Sequence, residues 1–298
     1  MMRLRPSHLI PLFLVASACD RSRAPATGDT LKTAQQSAAD SARTVSPQRN
    51  WDKSAGPLLL VAGDSPLHAM MIVPDSSAIS ATLTDLPRPA SVTLFGRNGT
   101  VQNAEIPVVP DSDACAVASL SAAPPPRPWN VGFVGGVVSP LPMDSMPSLG
   151  RADSLAALTN ITRLVSAMPN DSAGRFAGLP FVVRTIWRVS VPNGPQTFIA
   201  LVRRQINQEA TPLQEHTLVI AERSAADSTM SSVYSERSYG DEETIESRDI
   251  LATVQFGSER TVALVISRDF GNAIAYGLIE RGTDGKWRAR WVSARRHC

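Results

Sequence analysis

The sequence predicts a mainly β fold of antiparallel meanders, packed as a sandwich or an open barrel, with one amphipathic helix at about residues 153–168. Two observations predict this fold class. Short apolar runs recur from Trp51 onward, and turn pairs such as Asn98-Gly99 and Asp284-Gly285 separate some of them, which is the pattern of strands joined by hairpins. A single stretch repeats its apolar residues at spacings of three and four, as a helix with one buried face does.

Residues 1–18 are typical of an export signal peptide. Arg3 and Arg5 precede an apolar run at residues 9–15, and the small residues Ala16-Ser17-Ala18 follow it. This is the usual order of charged region, apolar region and cleavage site. The apolar part has about eight to ten residues, whereas a helix needs about 20 to span a bilayer. We therefore expect the segment to be removed.

The next residue gives the signal a more specific interpretation. Ala16-Ser17-Ala18-Cys19 resembles the lipobox of bacterial lipoproteins, where the cysteine thiol is lipidated before cleavage. The resemblance implies lipidation of Cys19, attachment to a membrane through that lipid, and an extracytoplasmic location on the periplasmic side or the cell surface. An ordinary cleaved secretory signal and a cytoplasmic N-terminus are the alternatives that the residues leave open.

Residues 19–50 predict a disordered tether. The segment is rich in Ala, Ser, Thr, Asp, Gln and Arg, and Leu31 and Val45 are its sizeable apolar residues. Such a composition buries too little apolar surface to offset the entropy of ordering the chain. We expect it to hold the folded part away from the bilayer.

Residues 51–140 predict a small β domain. Asn98-Gly99 joins two of its apolar runs, and both residue types tolerate the positive φ of a tight hairpin turn. The prolines between positions 124 and 128 indicate a stiff connection inside the domain. The runs interpreted as strands are residues 57–62, 69–73, 91–95, 100–106 and 129–138.

Residues 141–180 predict a loop and helix that connect this domain to the next one. Asp153 is expected to cap the helix, and Pro169 is expected to end it. The apolar residues expected on one face of the helix are Leu155, Leu158, Ile161, Val165 and Met168.

Residues 181–298 predict an antiparallel β domain. The segments interpreted as strands are residues 181–191, 198–202, 217–221, 251–256, 262–266, 274–279 and 286–294. Thr197–Arg204 is similar to Thr261–Arg268, and Val219–Arg223 is similar to Leu278–Arg281. We interpret these matches as two four-strand repeats that resemble propeller blades, with chance similarity as the alternative. Two copies cannot close a propeller, which favours a sandwich or an open barrel.

The charge balance argues against a nucleic-acid partner. The chain has 29 basic and 27 acidic residues, and removal of the two arginines in the signal peptide leaves 27 of each. A nucleic-acid-binding protein normally has a basic excess on one face. A short basic cluster near the end of the chain is interpreted as a solvated strand face and tail. Its members are Arg288, Arg290, Arg295 and Arg296.

Two cysteines remain if Cys19 carries lipid. Cys115 and Cys298 form an even pair, and in an oxidising compartment such pairs tend to be bridged. A disulfide between them is one expectation, and two unpaired thiols are the other. The sequence has neither a CxxC motif nor a cluster of cysteine and histidine, so structural zinc is not expected.

One motif suggests serine hydrolase chemistry. Gly63-Asp64-Ser65 follows an apolar run and resembles the nucleophile block of the GDSL (SGNH) esterases, which implies a serine nucleophile activated by histidine. The chain departs from that family's pattern elsewhere. Pro66 replaces an aliphatic residue, Gly96-Arg97-Asn98-Gly99 lacks the aspartate of a GxND block, and Leu213 stands where an aspartate should precede His216. A turn between two strands is the simpler interpretation.

The remaining chemical groups form no recognisable catalytic or metal-binding set. His68 and His216 are isolated in the sequence and are interpreted as surface or hydrogen-bonded residues. Asp111-Ser112-Asp113 and Asp241-Glu242-Glu243 match no calcium-loop pattern and are interpreted as solvated turns. The sequence predicts no catalytic residue, no metal ligand and no cofactor.

The leading functional hypothesis is a non-enzymatic module, anchored to the membrane, that binds or scaffolds a small ligand or a protein of the cell envelope. A hydrolase that uses Ser65 is the alternative from another class, and a secreted subunit of a larger complex is a third. Convergence of several reactive side chains in one pocket would favour the hydrolase. The residues to follow in the structure are Ser65, His68, Asp111, His216 and Asp241.

Overall fold

Six segments make up the described part of the chain. The computed structural model describes residues 50–74, 79–110, 116–169, 174–207, 212–224 and 229–297. Cys19, Cys115, Cys298 and Asp111 lie outside these residues, as do the predicted signal peptide and nearly all of the predicted tether. The lipidation of Cys19 and the disulfide between Cys115 and Cys298 therefore stay predictions.

The first half of the described chain forms a six-stranded antiparallel sheet, here called sheet A. Its strand order is β4-β3-β6-β1-β2-β5, and a short helix, α1 (Ile79–Thr84), follows β2. The strands are β1 (Leu58–Ala62), β2 (His68–Ile72), β3 (Ala90–Phe95), β4 (Val101–Ile106), β5 (Val117–Ser119) and β6 (Val131–Val134).

Two five-stranded antiparallel sheets follow. Sheet B has the order β16-β15-β14-β13-β7, and sheet C has the order β12-β11-β10-β9-β8. The strands of sheet B are β7 (Val138–Leu141), β13 (Ser247–Phe256), β14 (Thr261–Asp269), β15 (Ile274–Arg281) and β16 (Trp287–Val292). The strands of sheet C are β8 (Met143–Ser145), β9 (Val182–Ser190), β10 (Gln196–Ile206), β11 (Leu213–Arg223) and β12 (Met230–Asp241).

Sheets B and C have the same internal order. Each is a four-stranded meander, β13 to β16 or β9 to β12, with one added strand beside the first strand of the meander. The similar segments Thr197–Arg204 and Thr261–Arg268 occupy the second strand of each meander, and Val219–Arg223 and Leu278–Arg281 occupy the third. The added strands, β7 and β8, are consecutive and separated by Pro142, so the chain passes directly from sheet B to sheet C.

The turn between β3 and β4 packs on this corner between β7 and β8. Gly99 has a φ of 79°, and a Cβ added there would approach Pro142 Cγ within 2.7 Å. The backbone N–H of Met143 also donates to the carbonyl of Arg97 at 2.9 Å. The predicted Asn98-Gly99 turn therefore exists, and its glycine permits both the left-handed backbone and the close approach to the corner.

The three sheets and the long helix α2 (Arg151–Ser166) are separated by apolar layers. The A–B layer includes Leu59, Phe133, Val254, Tyr276 and Trp291. The B–C layer includes Met143, Ile199, Leu218, Leu264 and Trp287. The C–α2 layer includes Ile161, Val165, Ile186, Phe198 and Val219. Sheet B is covered on both faces, which explains why β13 to β15 have nearly continuous apolar runs instead of strict alternation.

The structure confirms the mainly β, antiparallel fold class and places one long helix where the sequence predicts it, with two corrections in detail. Asp153 does not cap α2, because the helix begins at Arg151 after Gly150, and Asp153 lies in the first turn. Leu155 is 54% exposed, whereas Ala157 is fully buried. Sheet C therefore packs against a face of α2 rotated from the predicted one, and small alanine permits the close contact.

One strand was not predicted, and one interpretation was wrong. No strand was predicted at β12, because Met230–Asp241 is dominated by polar residues. The basic cluster is not wholly solvated, since Arg296 is 7% exposed and its Nη1 donates to the carbonyl of Met71 at 2.9 Å. Among the described residues, no helix has both the length and the apolarity needed to cross a membrane.

Candidate functional site

A cavity of about 310 Å³ opens at one end of the B–C layer. Its walls come from β9, β10 and β11 of sheet C and from the first residues of β13 in sheet B. At this end the apolar side chains between the two sheets give way to charged ones. The polar residues that line the cavity are Arg184, Thr185, Arg203, His216, Thr217, Ser247, Arg248 and Asp249.

A β-bulge brings Arg184 to the cavity. Leu201 pairs with Thr185, but the next residue, Val202, pairs with Val183, so Arg184 is the extra residue on β9. The extra residue of a bulge breaks the regular alternation and redirects a side chain. Arg184 and Thr185 consequently both line the cavity, although they are adjacent in the sequence.

Strand alternation places Arg203 and His216 side by side. The two residues are register partners on β10 and β11. Leu218, two residues after His216, belongs to the B–C layer, so His216 faces the same layer. Arg204 and Glu215, the adjacent residues on the same two strands, face the opposite side of sheet C and pair with each other there.

His216 is held as a neutral imidazole by its surroundings. Burial lowers its pKa below 6.5 and outweighs a hydrogen bond to the backbone of Glu246, and the positive charges of Arg203, Arg248 and Arg184 lower the pKa further. Its Nε2 lies 2.9 Å from Oε1 of Gln214. The ring is thus fixed by hydrogen bonds and surrounded by guanidinium groups.

A network of buried ions lies beside the cavity, between β12, β13 and β14. Arg268 Nη2 contacts Glu236 Oε2 at 2.6 Å, and Arg268 Nη1 contacts Glu246 Oε1 at 2.9 Å. Arg248 Nη2 also contacts Glu246 Oε1 at 2.9 Å, while Tyr234 donates a hydrogen bond to Glu236. The two arginines and two glutamates are formally neutral together.

The pKa of Glu236 shows that this network favours its charged form. Burial alone would raise the pKa of the carboxyl group, but attraction to Arg268 and Arg248 lowers it. Burial and the neighbouring negative charge of Glu236 raise the pKa of Tyr234, which keeps its phenol protonated. The network therefore keeps its internal charge balance at neutral pH.

Arg97, in the turn between β3 and β4 of sheet A, pairs with an acidic residue that lines the cavity. Its guanidinium pairs with Asp249, its Nε donates to the carbonyl of Ile250 at 2.6 Å, and it lies 5.5 Å from the centre of the Trp187 ring. The carboxylate of Asp249 is thereby neutralised. Asp249 is the one acidic side chain among the residues that line the cavity within the described part of the chain.

Two positive charges remain at the cavity. Neither Arg184 nor Arg203 forms an ion pair with a carboxylate of the described segments. Thr185 Oγ1 is buried and has no hydrogen-bond partner there either. The cavity therefore offers guanidinium donors that the described protein groups do not use.

A second cavity, of about 320 Å³, lies at the opposite end of the B–C layer. Its arginines, unlike Arg184 and Arg203, are paired with protein groups. Its Arg281 pairs with Glu222 through Nε at 2.9 Å, and Trp287 Nε1 donates to the same carboxylate at 2.8 Å. Arg260 is held by Gln255 Oε1 at 2.8 Å. These arginines are already engaged by protein groups, so we take the first cavity as the candidate site.

The structure separates the residues that the serine hydrolase interpretation would bring together. Ser65 lies in the turn between β1 and β2, and His68 is the first residue of β2; the N–H of His68 donates to the carbonyl of Ser65 at 2.9 Å. Ser65 Oγ accepts a hydrogen bond from the N–H of Leu67 at 3.3 Å. Asp241 ends β12 and accepts from the N–H of Thr244 at 2.9 Å. Of the residues followed from the sequence, His216 alone lines the cavity, with Asp111 outside the described residues.

Sequence reasoning missed Arg184, Arg203 and Arg248 as site residues. Arginines next to apolar strand residues were the available signal, but they recur throughout residues 181–298 and do not single out three positions.

Among the described residues, no group of three or more histidine, cysteine or acidic side chains is arranged to hold a metal ion. Comparisons of the chain with protein-family models, with curated proteins and with solved structures find no match.

Proposed function

We propose that the protein is a lipid-anchored, non-enzymatic binding module of the bacterial cell envelope. Lipid on Cys19 attaches it to the membrane, residues 19–50 act as a tether, and the cavity at the end of the B–C layer receives the ligand. The observation that carries the binding role is the pair Arg184 and Arg203, which line the cavity without a carboxylate partner in the described structure.

The chemistry of the cavity favours binding over catalysis. An arginine remains protonated at neutral pH, so it attracts and orients a ligand but does not act as a base or a nucleophile. The ring of His216 is already hydrogen-bonded to Gln214 and to the backbone of Glu246. Within the described segments, His216 forms no hydrogen bond with a serine hydroxyl, whereas an activated serine nucleophile needs such a pairing.

Mass spectrometry of the mature N-terminus tests the membrane anchor. We expect the first 18 residues to be absent and Cys19 to carry a lipid. Cys19→Ala should release the protein from the membrane fraction, while the matched variant Cys115→Ala should remain membrane-bound. An intact leader on a protein found in the soluble fraction would contradict the proposal.

Labelling with a fluorophosphonate probe tests the absence of serine hydrolase activity. We expect the purified protein to remain unlabelled, because Ser65 Oγ is engaged in its own turn and lies outside the cavity that contains His216. Labelling that disappears in Ser65→Ala, but persists in Ser247→Ala, would establish the hydrolase and overturn the non-enzymatic role.

A further inference from the structure

We propose that the ligand of the cavity is a small organic anion, with an oxyanion head group bound by Arg184 and Arg203 and a short apolar part packed against Leu201 and Leu218. A carboxylate and a phosphate ester share this chemistry. The inference rests on the proposed function, because it names the ligand class of the same cavity.

The charge balance around the cavity selects the sign of the ligand. The buried network of Glu236, Glu246, Arg248 and Arg268 is neutral by itself, and Asp249 is neutralised by Arg97. What remains is the positive charge of the two lining arginines. These two positive charges attract an anion and repel a cation.

The donor groups fit an oxyanion. A guanidinium presents several N–H groups in a planar fork, which matches the geometry of carboxylate and phosphate oxygens. The two guanidinium groups that line the cavity have no carboxylate partner in the described segments, so their N–H groups are available to ligand oxygens.

The position of the arginines indicates where the head group lies. Arg184 is exposed and Arg203 is half-buried, so both are at the open side of the cavity and accessible from solvent. Leu201 and Leu218 also line the cavity, and Leu218 is fully buried in the B–C layer. An amphipathic ligand would therefore keep its charged end at the opening and its apolar end inside.

The size of the cavity limits the ligand to a small molecule. Its volume of about 310 Å³ is at the lower end of the range of roughly 300–1,000 Å³ that small-molecule sites span. A short acyl or alkyl chain with one anionic group fits such a space. We therefore expect affinity to increase when a short apolar chain is attached to an inorganic anion.

Calorimetric titration of the mature lipoprotein in an uncharged maltoside detergent tests the proposal. The probes are butyl phosphate, butyrate, inorganic phosphate and butylammonium. We expect butyl phosphate or butyrate to bind, inorganic phosphate to bind more weakly than butyl phosphate, and butylammonium not to bind. The carboxylate and ester probes distinguish which oxyanion the site prefers.

Substitution of the lining arginines tests the position of the site. Arg184→Gln and Arg203→Gln should each weaken binding of the preferred probe by at least about tenfold, because each removes a charge-assisted pairing. The matched variant Arg163→Gln, on the exposed face of α2, should bind as the unaltered protein does. Near-UV circular dichroism confirms that each variant is folded.

The outcomes separate the ligand class from the proposed function. Failure of both organic anions to bind the folded protein, binding of butylammonium, or unchanged affinity in both cavity variants would overturn the anion proposal. If Cys19 is nevertheless lipidated and butylammonium binds in the cavity, the lipid-anchored binding module stands. Anion binding by a protein without lipid on Cys19 would sustain the ligand class and overturn the anchor.

Discussion

Guanidinium groups hold the charged interior of this protein together. Arg204 forms two hydrogen bonds with the carboxylate of Glu215, at 3.1 and 3.0 Å, and its Nη1 donates to the carbonyl of Phe176 at 2.8 Å. Its charge also lies 4.6 Å from the centre of the Phe181 ring. The two paired side chains are 4% and 2% exposed, so the ion pair is almost completely shielded from solvent.

Glu215→Ala should lower the free energy of unfolding by about 3–5 kcal/mol, because removing one partner of a buried ion pair leaves the other charge uncompensated. Chemical denaturation at neutral pH, followed by tryptophan fluorescence, measures the change. Asp284→Asn is the control, since the pair of Asp284 with Arg288 lies on the surface, where ion pairs contribute little. Equal losses in the two variants would show that the Arg204 pair is not specifically stabilising.

His216 should make the stability depend on pH. Burial and the charges of Arg203, Arg248 and Arg184 hold its pKa below 6.5 in the folded protein despite the hydrogen bond to Glu246. The unfolded chain then binds the proton more readily, so stability falls as the pH drops below about 6.5 and stops falling once the folded pKa is passed. Thermal melts between pH 7.5 and pH 5 measure the effect.

His216→Gln is the variant that isolates this contribution. Glutamine retains hydrogen-bonding capacity but does not titrate, so its melting temperature should fall less between pH 7.5 and pH 5 than that of the unaltered protein. The carboxyl group of Glu236 titrates below this range, because its arginine partners lower its pKa. The same decrease in both proteins would exclude His216 as the group responsible.

At the scale of strands and turns, the sequence predicts those elements whose conformation is set by their own residues, such as hairpin turns. Gly99 has a φ of 79° and Gly285 a φ of 75°, and both lie in hairpin turns predicted from their residue types. The strand β12 could not be predicted, because residues 230–241 are mostly polar and pair along one side with β11 at the edge of sheet C. Its pairing comes from a neighbouring strand, not from its own composition.

The candidate site depends on features that no short sequence window contains. Arg184 lines the cavity because a bulge shifts the register of β9 against β10, and that register is fixed by the partner strand. Arg248 comes from another sheet, and its contact with Glu246 and Glu236 requires β12 and β13 to be in place. The sequence could thus predict the strands that contribute the site, but not which arginines meet.

The orientation of α2 gives a test at the scale of the element. Ile161→Ala should lower the free energy of unfolding by about 3 kcal/mol, because it leaves a cavity in the C–α2 layer at a side chain that is fully buried. Leu155→Ala should change it by less than about 0.5 kcal/mol, as exposed substitutions usually do. Urea denaturation of both variants measures the difference. A larger loss in Leu155→Ala would mean that the helix packs through the face first predicted from the sequence.

At the scale of the whole molecule, the sheets are joined through shared side chains as well as layers. Arg97 from sheet A pairs with Asp249 in sheet B, and Trp291 Nε1 donates to the carbonyl of Pro74 at 3.3 Å. The described residues between positions 50 and 297 belong to one compact unit. The two β regions that the sequence predicts, residues 51–140 and 181–298, both contribute to the A–B layer.

Aromatic side chains form the centre of the A–B layer. The rings of Phe133 and Phe256 are 5.8 Å apart in an edge-on arrangement, and those of Trp51 and Trp291 are 4.8 Å apart. Such pairs stabilise a core beyond the area they bury. Since Phe133 belongs to sheet A and Phe256 to sheet B, unfolding of either sheet would expose the aromatic residues of the other.

Phe133→Ala should therefore destabilise sheets A and B together. We expect a loss of about 3–5 kcal/mol in the free energy of unfolding, as for other buried phenylalanines, with one heat-absorption peak retained at a lower temperature. Differential scanning calorimetry measures both, and Val117→Ala, at an exposed position on sheet A, is the control. Because Phe133 lies in the layer that sheets A and B share, its loss must affect both sheets if they unfold as one unit. Two resolved peaks, with only one shifted by the substitution, would show instead that the sheets unfold separately.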